Sequence, residues 1–458
     1  MTIKNTKKNN HYSPPLKTWD ILKEANNAWD RSIIQAIEVG KPVVMATGMM
    51  PRQLTHAFDC VYVVGEWYGS ICGFHRANDL AETAESCGFP HELCSYARMT
   101  IGSMIADRGF LGKFPTPKAV IGTEGYCNVQ TKWFEAIARY YNVPFFVIDG
   151  PLIQRYNEKN WGEEAAKDAV EYIYRQLGNC LEFLEWSLGL KINEEKLIDA
   201  TNTMHTTELL WDELLRLWRK KPAPITIRNI FTFENLIVSI PCEKEAHVVL
   251  NAVIEELNER MEKGIAGIEN EEVRLIWHGQ PGWYVLNVLN YFQSQGATFV
   301  GTPYLELFGH HYRFDSFKDG IPEWFRQWNT PKNIDECLWE IAKGAAAIQI
   351  RPRLDATTDM LFEMASDAQA DGAVWHAVRG CKGLSFGQLS EMEALRRELG
   401  LPGFILEGSP ADSRDFSEGP ALRQIKVFIE QVKRMKKRKK ARGLRASKNK
   451  NPESGSNN

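Results

Sequence analysis

The sequence predicts an α/β protein in which two parallel-sheet domains are joined by a helical connector. Two series of short apolar segments alternate with helical patterns, one in each half of the 458-residue chain. Continuous apolar strands between helices are typical of parallel sheets that are covered on both faces. A chain of this length also exceeds a single ordinary core, so more than one domain is expected.

The first series gives three predicted strands, at residues 42–47 (PVVMAT), 119–123 (AVIGT) and 144–149 (PFFVID). Each strand is a short apolar run that is followed by turn-forming or polar residues. A helical pattern at 131–141 separates the second strand from the third. This strand–helix–strand order indicates a parallel crossover and a first sheet.

The second series predicts another parallel sheet in the C-terminal half. Its segments are rich in β-branched, aromatic and small apolar residues and are separated by helical patterns. The five predicted strands are residues 273–278, 297–301, 345–350, 372–376 and 403–406.

Helical patterns at residues 163–188, 194–220 and 243–263 fill the middle of the chain. The Lys-Pro-Ala-Pro run at 221–224 ends the second of them, because proline fixes φ and lacks a backbone donor. The predicted division is an N-terminal segment 1–30, a first α/β domain 31–194, a helical connector 195–265, a second α/β domain 266–430 and a basic disordered tail 431–458.

Charge is distributed unevenly along the chain. Eleven Lys and Arg residues and no acid lie between Lys433 and Lys450, and the chain before Lys433 is an acidic body with 44 basic and 57 acidic residues. An acidic body repels phosphate backbones, so the folded part is not expected to bind nucleic acid. No apolar run reaches the length of a membrane span, and the N-terminus lacks a secretory signal. We therefore expect a cytoplasmic protein with reduced cysteines and no membrane partner.

Three of the nine cysteines lie where parallel α/β domains collect ligands. Cys127 and Cys381 follow predicted strands in glycine-containing turns, and Cys94 lies near the start of a helix. Helix N-termini stabilise thiolates, and the thiolate is the form that binds metal. Three thiolates from separate segments are enough for an iron–sulfur cluster. The alternative is that these cysteines pack as small apolar residues, which is the usual role of cysteine in a core.

Several segments in the same order resemble the family of 2-hydroxyacyl-CoA dehydratases and benzoyl-CoA reductases, in its cluster-bearing large subunits. The similarity extends from about residue 40 to about 430 and is strongest to the α-type subunit of the dehydratases. The matching segments are ELCSYAR (92–98), YCNVQTKWFE (126–135), KPAP (221–224), DGAV (371–374), RGCK (379–382) and PADSRDF (410–416).

The resemblance implies two Rossmann-like domains and a [4Fe–4S] cluster held by Cys94, Cys127 and Cys381, with one iron free of a protein ligand. It also implies an acyl-CoA thioester substrate and a related second subunit, which together with this chain forms a heterodimer. A separate ATP-dependent iron–sulfur activator would supply single electrons. This chain has no G-x-x-x-x-G-K-[ST] loop, so it is not expected to be that activator. The implied reaction is anaerobic elimination of water from an (R)-2-hydroxyacyl-CoA through a ketyl radical anion, giving an enoyl-CoA.

The resemblance further implies that Glu66 is an acid/base or oxygen-binding group near the cluster, whereas the simpler interpretation is a surface glutamate at a turn. The hydroxyl residue that the dehydratases often have near this point is replaced by Gly48, with Thr47 beside it. This departure leaves alternatives open. They are a benzoyl-CoA reductase-type subunit, a double-cubane cluster protein that reduces small molecules without CoA, and a cluster-free structural partner.

Overall fold

The computed structural model describes residues 14–125, 127, 129–150, 163–310, 322–350 and 354–450. Within them lie two four-stranded parallel sheets surrounded by helices, which confirms the predicted fold class. The first sheet contains β1 (Val43–Ala46), β2 (Val61–Val64), β3 (Ala119–Thr123) and β4 (Phe145–Ile148). Its strand order is β2-β1-β3-β4, so the chain reverses its direction of travel across the sheet between β1 and β3.

Seven helices belong to the N-terminal part of the described chain. They are α1 (Trp19–Glu38), α2 (Gln53–His56), α3 (Gly65–Phe74), α4 (Asn78–Ser86), α5 (Ser95–Ile105), α6 (Gln130–Tyr141) and α7 (Glu163–Leu188). They cover both faces of the sheet, because alternate strand residues enter different cores: Val44 and Ala46 pack on one side, and Val43 and Met45 on the other. A strand buried on both faces has no polar side, which explains the apolar runs of the sequence.

The connector contains three helices, α8 (Glu194–Trp218), α9 (Ile227–Val238) and α10 (Lys244–Glu262). The start of α1 is attached to this connector. The Thr18 hydroxyl donates to the Glu256 carboxylate at 2.6 Å, and the rings of Trp19 and Phe233 stack with centroids 6.2 Å apart. The start of the N-terminal segment therefore packs on the middle of the chain, and the rest of α1 packs on the first sheet, where Trp29 contacts Trp67.

The second sheet contains β5 (Val273–His278), β6 (Ala297–Phe299), β7 (Gly372–Val378) and β8 (Gly403–Gly408), in the order β6-β5-β7-β8. This order repeats that of the first sheet. Its helices are α11 (Asn287–Ser294), α12 (Pro303–Glu306), α13 (Glu323–Arg326), α14 (Ile334–Ile350), α15 (Leu354–Asp367), α16 (Lys382–Ser385), α17 (Gln388–Leu399) and α18 (Glu418–Lys450).

The predicted strand at 345–350 is wrong, because these residues form the end of helix α14. Three consecutive alanines and the helical pattern that precedes them favour a helix over a strand. The prediction also missed β2, whose residues Val61–Val64 (VYVV) pair in parallel with β1. This strand is only four residues long, near the lower limit of what an apolar pattern can indicate.

Helix α14 belongs to the second half of the chain but packs in the first. Its residues Leu338, Ile341 and Ala342 join the core formed by the first sheet and α7. The two halves are therefore interleaved, and α14 lies near the carboxyl ends of β1, β3 and β4.

The basic segment after residue 430 also differs from the sequence prediction, since α18 continues as helix to Lys450. Lys433 and Lys436 attach it to the second sheet through Glu272 and Asp371. Lys, Arg, Ala and Leu all have high helix propensity, so a basic composition did not require disorder. Among the residues that the structure describes, no helix has both the length and the apolar composition of a membrane span.

Candidate functional site

The three cysteines singled out by the sequence come together between the two sheets. Cys127 follows β3, Cys381 follows β7, and Cys94 immediately precedes α5. The turn at Gly380 lies against the backbone of Cys94: a Cβ added to Gly380 would be 2.8 Å from the Cys94 nitrogen. Gly380 also has φ +78°, so both the close approach and the left-handed backbone require glycine.

Each cysteine lies at the N-terminal end of a helix, and each sulfur faces two backbone N–H groups of the first helical turn. These groups carry the positive end of the helix dipole and hydrogen-bond the thiolate. The donors are Tyr96 and Ala97 at Cys94, Val129 and Gln130 at Cys127, and Gly383 and Leu384 at Cys381. Three helix N-termini therefore converge on one set of thiols.

Burial opposes the stabilisation of the thiolates by these helix N-termini. It raises the pKa of Cys94 and of Cys381 to about 12, and the neighbouring thiols raise both pKa values further. The pKa of Cys127 is raised by burial as well. Proximity of the thiolates and exclusion of water both disfavour negative charge, and a positive metal group bound between them removes both penalties. The donor set therefore fits a metal group.

The spacing of the three sulfur atoms distinguishes between a single metal ion and a cluster. Among the described residues, the three sulfurs do not all lie within 4.8 Å of one another, whereas Glu85, His91 and Asp412 do present atoms that close together. Thiolates that share one tetrahedral zinc lie about 4 Å apart. The wider arrangement suits a polynuclear cluster better than a single ion.

Glu66 is partly buried in the first turn of α3, close to Cys94 and Cys127, so it is not an exposed surface residue. Its Oε2 accepts from the Gly48 N–H at 2.8 Å, and its Oε1 accepts from the Gln130 amide. Burial raises its pKa, and its charge in turn raises the pKa values of Cys94 and Cys127. A raised pKa favours the protonated form of a carboxyl group, which is the form that can donate a proton to a substrate.

Thr47 does not replace the hydroxyl that is missing at Gly48. Its Oγ1 lies 3.0 Å from the Thr123 Oγ1 and is fully buried between β1 and β3. Thr123 in turn donates to the Gln130 amide at 3.0 Å, so the hydroxyls support the residue that holds Glu66. A Cβ added at Gly48 would meet the Glu66 carboxyl carbon at 3.6 Å, so glycine leaves space beside that carboxyl group.

Several other histidines and arginines of this part of the molecule have structural partners. Arg76 donates to the Tyr284 carbonyl, and the His376 Nδ1 donates to the Gln280 carbonyl at 2.5 Å. Burial lowers the pKa of His376 to about 4, so this side chain is neutral at pH 7. His310 lines the cleft described below, and His311 lies outside the described residues.

A buried ion-pair cluster lies beside the cysteines and was not identified from the sequence. Arg98 on α5 is 1% exposed and donates to Glu85 at 2.5 Å and to Asp412 at 2.7 Å. Arg414 also pairs with both carboxylates. Because these arginines occupy the carboxylates, Glu85, His91 and Asp412 form an ion-pair cluster and not a metal site. Burial raises the pKa of Asp412, but the hydrogen bonds from Arg414 and Arg98 outweigh it and lower the pKa to about 2.

Glu234 on α9 is another buried acid, and it lies near Tyr96. One carboxylate oxygen accepts from the Tyr304 hydroxyl at 2.6 Å, and the other has no partner. Burial raises the pKa of Glu234 to about 8. Because the folded pKa is above the ordinary value of 4.5, ionisation of Glu234 destabilises the folded protein. This destabilisation is small near pH 5 and grows as the pH rises towards 8.

We therefore expect Glu234→Gln to stabilise the protein by about 3 kcal/mol more at pH 8 than at pH 5. Urea unfolding of both proteins at the two pH values measures this difference. Glu262→Gln, at the end of the connector helix α10, is the control. Equal gains at the two pH values for Glu234→Gln would contradict the assignment of a buried neutral carboxyl group.

A cleft lined by Gly48 opens at the carboxyl end of β1, with about 860 Å³ of space that includes open solvent. Residues 48–53 form one wall, and α14 and the end of α13 form the other. A smaller recess of about 400 Å³ continues from it past Thr123 and Asp149. Both lie at the position between β1 and β3 where parallel sheets bind ligands. The sequence could not locate this cleft, because α14 reaches it from a distant part of the chain.

The fold and the site define a class of protein with two parallel α/β sheets and a three-cysteine site between them, with a cleft at the carboxyl end of β1. The chain belongs to the family described as 2-hydroxyglutaryl-CoA dehydratase, D-component, whose model matches residues 47–432. This confirms the family resemblance that the sequence indicated.

Curated relatives cover most of the chain at low identity. Lactoyl-CoA dehydratase subunit alpha of Anaerotignum propionicum is 23% identical, over 91% of this chain and 97% of the relative. The (R)-2-hydroxyisocaproyl-CoA dehydratase alpha subunit of Clostridioides difficile is 25% identical, over 88% and 93%. A subunit of the benzoyl-CoA reductase of Thauera aromatica is 21% identical, over 83% and 86%. Dehydratases of this kind are hydro-lyases.

Proposed function

We propose that this chain is the [4Fe–4S]-bearing subunit of a radical (R)-2-hydroxyacyl-CoA dehydratase. The observation that carries the proposal is the convergence of Cys94, Cys127 and Cys381, each at a helix N-terminus, beside the partly buried Glu66. The dehydratase names of the relatives support the reaction class.

The chemistry requires such a site because the β-proton of a 2-hydroxyacyl thioester is too weakly acidic for direct removal. One electron converts the thioester carbonyl to a ketyl radical anion, which expels the 2-hydroxyl group as the leaving group. The resulting enoxy radical has a much more acidic β-proton, and its loss followed by return of the electron gives the enoyl-CoA. When bound, the cluster supplies the low-potential electron and a Lewis acid.

The protein contributes orientation and proton transfer. Gly48 and Gln130 fix the Glu66 carboxyl group, and burial raises its pKa, which favours the protonated form. Glu66 is then placed to protonate the departing hydroxyl group as a general acid. The surrounding side chains, among them the Trp283 ring that donates to the Tyr96 hydroxyl at 2.5 Å, limit the access of water to the radical.

The proposal includes two protein partners. The relatives are named as alpha subunits, which supports a second, related subunit and a heterodimer. A separate ATP-dependent iron–sulfur activator would supply the electron. We also propose a cytoplasmic location, which suits nine cysteines that form no disulfide.

Anaerobic assays of the heterodimer with its activator test the function. Incubation with (R)-2-hydroxyacyl-CoA esters is expected to give enoyl-CoA products only in the presence of activator, ATP and reductant. Product analysis by mass spectrometry measures the loss of water. A complex that contains the cluster but forms no enoyl-CoA from any ester would contradict the proposal.

A benzoyl-CoA reductase-type subunit is the second candidate, and two observations favour it: the similarity to a benzoyl-CoA reductase and the absence of a hydroxyl group at Gly48. Reduction of the benzoyl-CoA ring in the same assay would select it. A double-cubane protein would contain about eight irons per cluster-bearing chain and would not bind acyl-CoA.

Replacement of Glu66 separates proton transfer from cluster binding. We expect Glu66→Gln to lower the rate of dehydration by about 10²–10⁴-fold with unchanged iron content, because the amide keeps the shape but cannot give up a proton in the same way. The exposed Glu92, two residues before Cys94, provides the control Glu92→Gln. Undiminished activity of Glu66→Gln would remove Glu66 from the mechanism.

A further inference from the structure

A strongly exposed apolar surface follows Cys381 in the second half of the chain. Phe386 is 91% exposed, which is the largest value among the large apolar side chains of the described residues. Leu389 is 67% exposed, and Leu354, at the start of α15, is 44% exposed. A Cβ added to Gly387 would be 2.6 Å from the Leu354 Cδ1, so Leu354 packs beside the residue that follows Phe386. These three apolar side chains form one surface, which we name the Phe386 patch.

The Phe386 patch is directly connected to the cysteine site. Helix α16 begins immediately after Cys381, and its Gly383 and Leu384 N–H groups face the Cys381 sulfur. This helix is a single turn of four residues, about 6 Å long, and Phe386 follows it directly. The turn of helix that begins at the sulfur of Cys381 therefore ends at the patch.

The backbone that presents Phe386 is fastened to strand β7. The Ser385 hydroxyl accepts from the Val378 N–H at 2.9 Å and donates to the Val378 carbonyl at 3.1 Å. The Gln388 amide donates to the His376 carbonyl at 2.9 Å and to the Leu384 carbonyl at 2.8 Å. Because both neighbours of the Phe386–Gly387 pair are held in this way, the aromatic ring stays in water until another surface covers it. Exposed apolar patches of this kind mark sites of protein interaction.

The Phe386 patch and the cleft are separate surfaces. None of the three patch residues lines the cleft or its smaller recess, which are bounded by residues 48–53, α13 and α14. A thioester in the cleft would therefore leave the patch accessible. A protein that binds the patch can act on the cysteine site while the substrate is in place.

The size of the patch indicates the kind of partner. Its rim is polar and mixed in charge, because Lys382 and Asp355 are exposed and Glu393 pairs with Arg396 at 2.6 Å. An apolar centre inside a polar rim is the usual composition of a protein interface. Transient electron-transfer contacts bury less than about 1,200 Å², whereas obligate dimers often bury about 2,000 Å² or more. A centre of three apolar side chains suits a partner that binds and leaves better than a permanent subunit.

We propose that the Phe386 patch is the docking surface for the electron donor, a reduced iron–sulfur protein that presents an apolar contact face. The proposal rests on the dehydratase function given above and specifies where its electron donor binds. Electron transfer between proteins slows steeply with distance, so the donor has to contact this chain close to the three cysteines. One electron leaves the donor, which is oxidised, and enters the group held by the cysteines, which is reduced. No covalent bond forms or breaks in this step.

Binding of the purified activator to the heterodimer tests the proposal. Biolayer interferometry under anaerobic conditions measures its dissociation constant for the wild type, for Phe386→Ser and for the double variant Phe386→Ser, Leu389→Ser. We expect the dissociation constant to rise at least about tenfold in the double variant and by a smaller factor in the single variant, because aromatic residues at the centre of an interface contribute most to binding. The activator concentration for half-maximal dehydration should rise by the same factor, with an unchanged rate at saturating activator.

The control is Val248→Ser, which removes an apolar side chain that is 61% exposed on α10 and is expected to leave the dissociation constant unchanged. Titanium(III) citrate is a small reductant that needs no docking surface. It is expected to reduce the iron group of the double variant as completely as that of the wild type, and the iron content of the two should be equal.

An unchanged dissociation constant in the double variant would overturn the docking surface. Loss of the second subunit during purification of the double variant would also overturn it, since the patch would then belong to the heterodimer interface. If the wild type binds the activator through Phe386 but forms no enoyl-CoA, the docking surface stands and the dehydratase function fails. A wild type that neither binds the activator nor forms product would overturn both proposals.

Discussion

Replacing any one of Cys94, Cys127 and Cys381 by serine is expected to reduce the iron content from about four atoms per chain to below about one, with loss of dehydration activity. The proposed cluster has three cysteine ligands in this chain, so each serine variant would leave it with only two. Serine preserves the size of the side chain but is a poor thiolate substitute. Iron and acid-labile sulfide, measured after anaerobic purification, report the effect.

Cys87 provides the matched control, because it is the exposed cysteine among those of the described chain and lies near the end of α4. Cys87→Ser is expected to retain its iron, its sulfide and its activity. Full iron content in any of the three site variants would exclude that cysteine as a ligand. Loss of iron in all four variants would show that the assay reports general damage to the protein.

Arg98→Met is expected to lower the free energy of unfolding by about 3–5 kcal/mol, because it leaves buried carboxylates without their partner. Arg98 is 1% exposed and Asp412 is 0% exposed, so water cannot replace the lost ion pair. Arg98 also donates to the Leu93 carbonyl, next to Cys94, and the variant should bind iron less firmly. Urea denaturation at pH 7 measures the stability.

Arg139→Met is the control for this prediction. Its side chain is 80% exposed in an ion pair with Glu135, and such pairs contribute less than about 1 kcal/mol. The folded pKa of Asp412, about 2, lies below its ordinary value of 3.8. The stabilisation from Asp412 is therefore present above about pH 4 and is lost as the pH falls through about 2. A destabilisation by Arg98→Met that is as large at pH 2 as at pH 7 would contradict this account.

Much of the fold could be predicted because buried parallel strands have a local signature. The apolar runs that became β1, β3 and β4, and those that became β5, β7 and β8, are visible without knowledge of their neighbours. The segment at 345–350 has the same apolar character, but its alanines allow it to extend a helix. Whether a short apolar run forms a strand depends on its pairing partner, which is not local information.

The candidate site was predictable in its ligands and not in its surroundings. Cys94, Cys127 and Cys381 have turn and helix contexts that the sequence displays directly. The pairing of Arg98 with Asp412 spans 314 residues, and the cleft brings residues 48–53 together with residues of α14. Neither property can be predicted from a single segment of the sequence, because both depend on the three-dimensional structure.

The cysteines are divided unequally between the two halves of the molecule. Cys94 and Cys127 belong to the half that contains the first sheet, and Cys381 follows β7 of the second. A group bound by all three would thus be a covalent cross-link between sheets that are otherwise joined by non-covalent contacts, among them the Arg98 cluster and the packing of α14 in the first core. Its loss through oxidation would remove that cross-link at the same moment as the activity. Exposure to oxygen should then appear as increased susceptibility to proteolysis as well as inactivation.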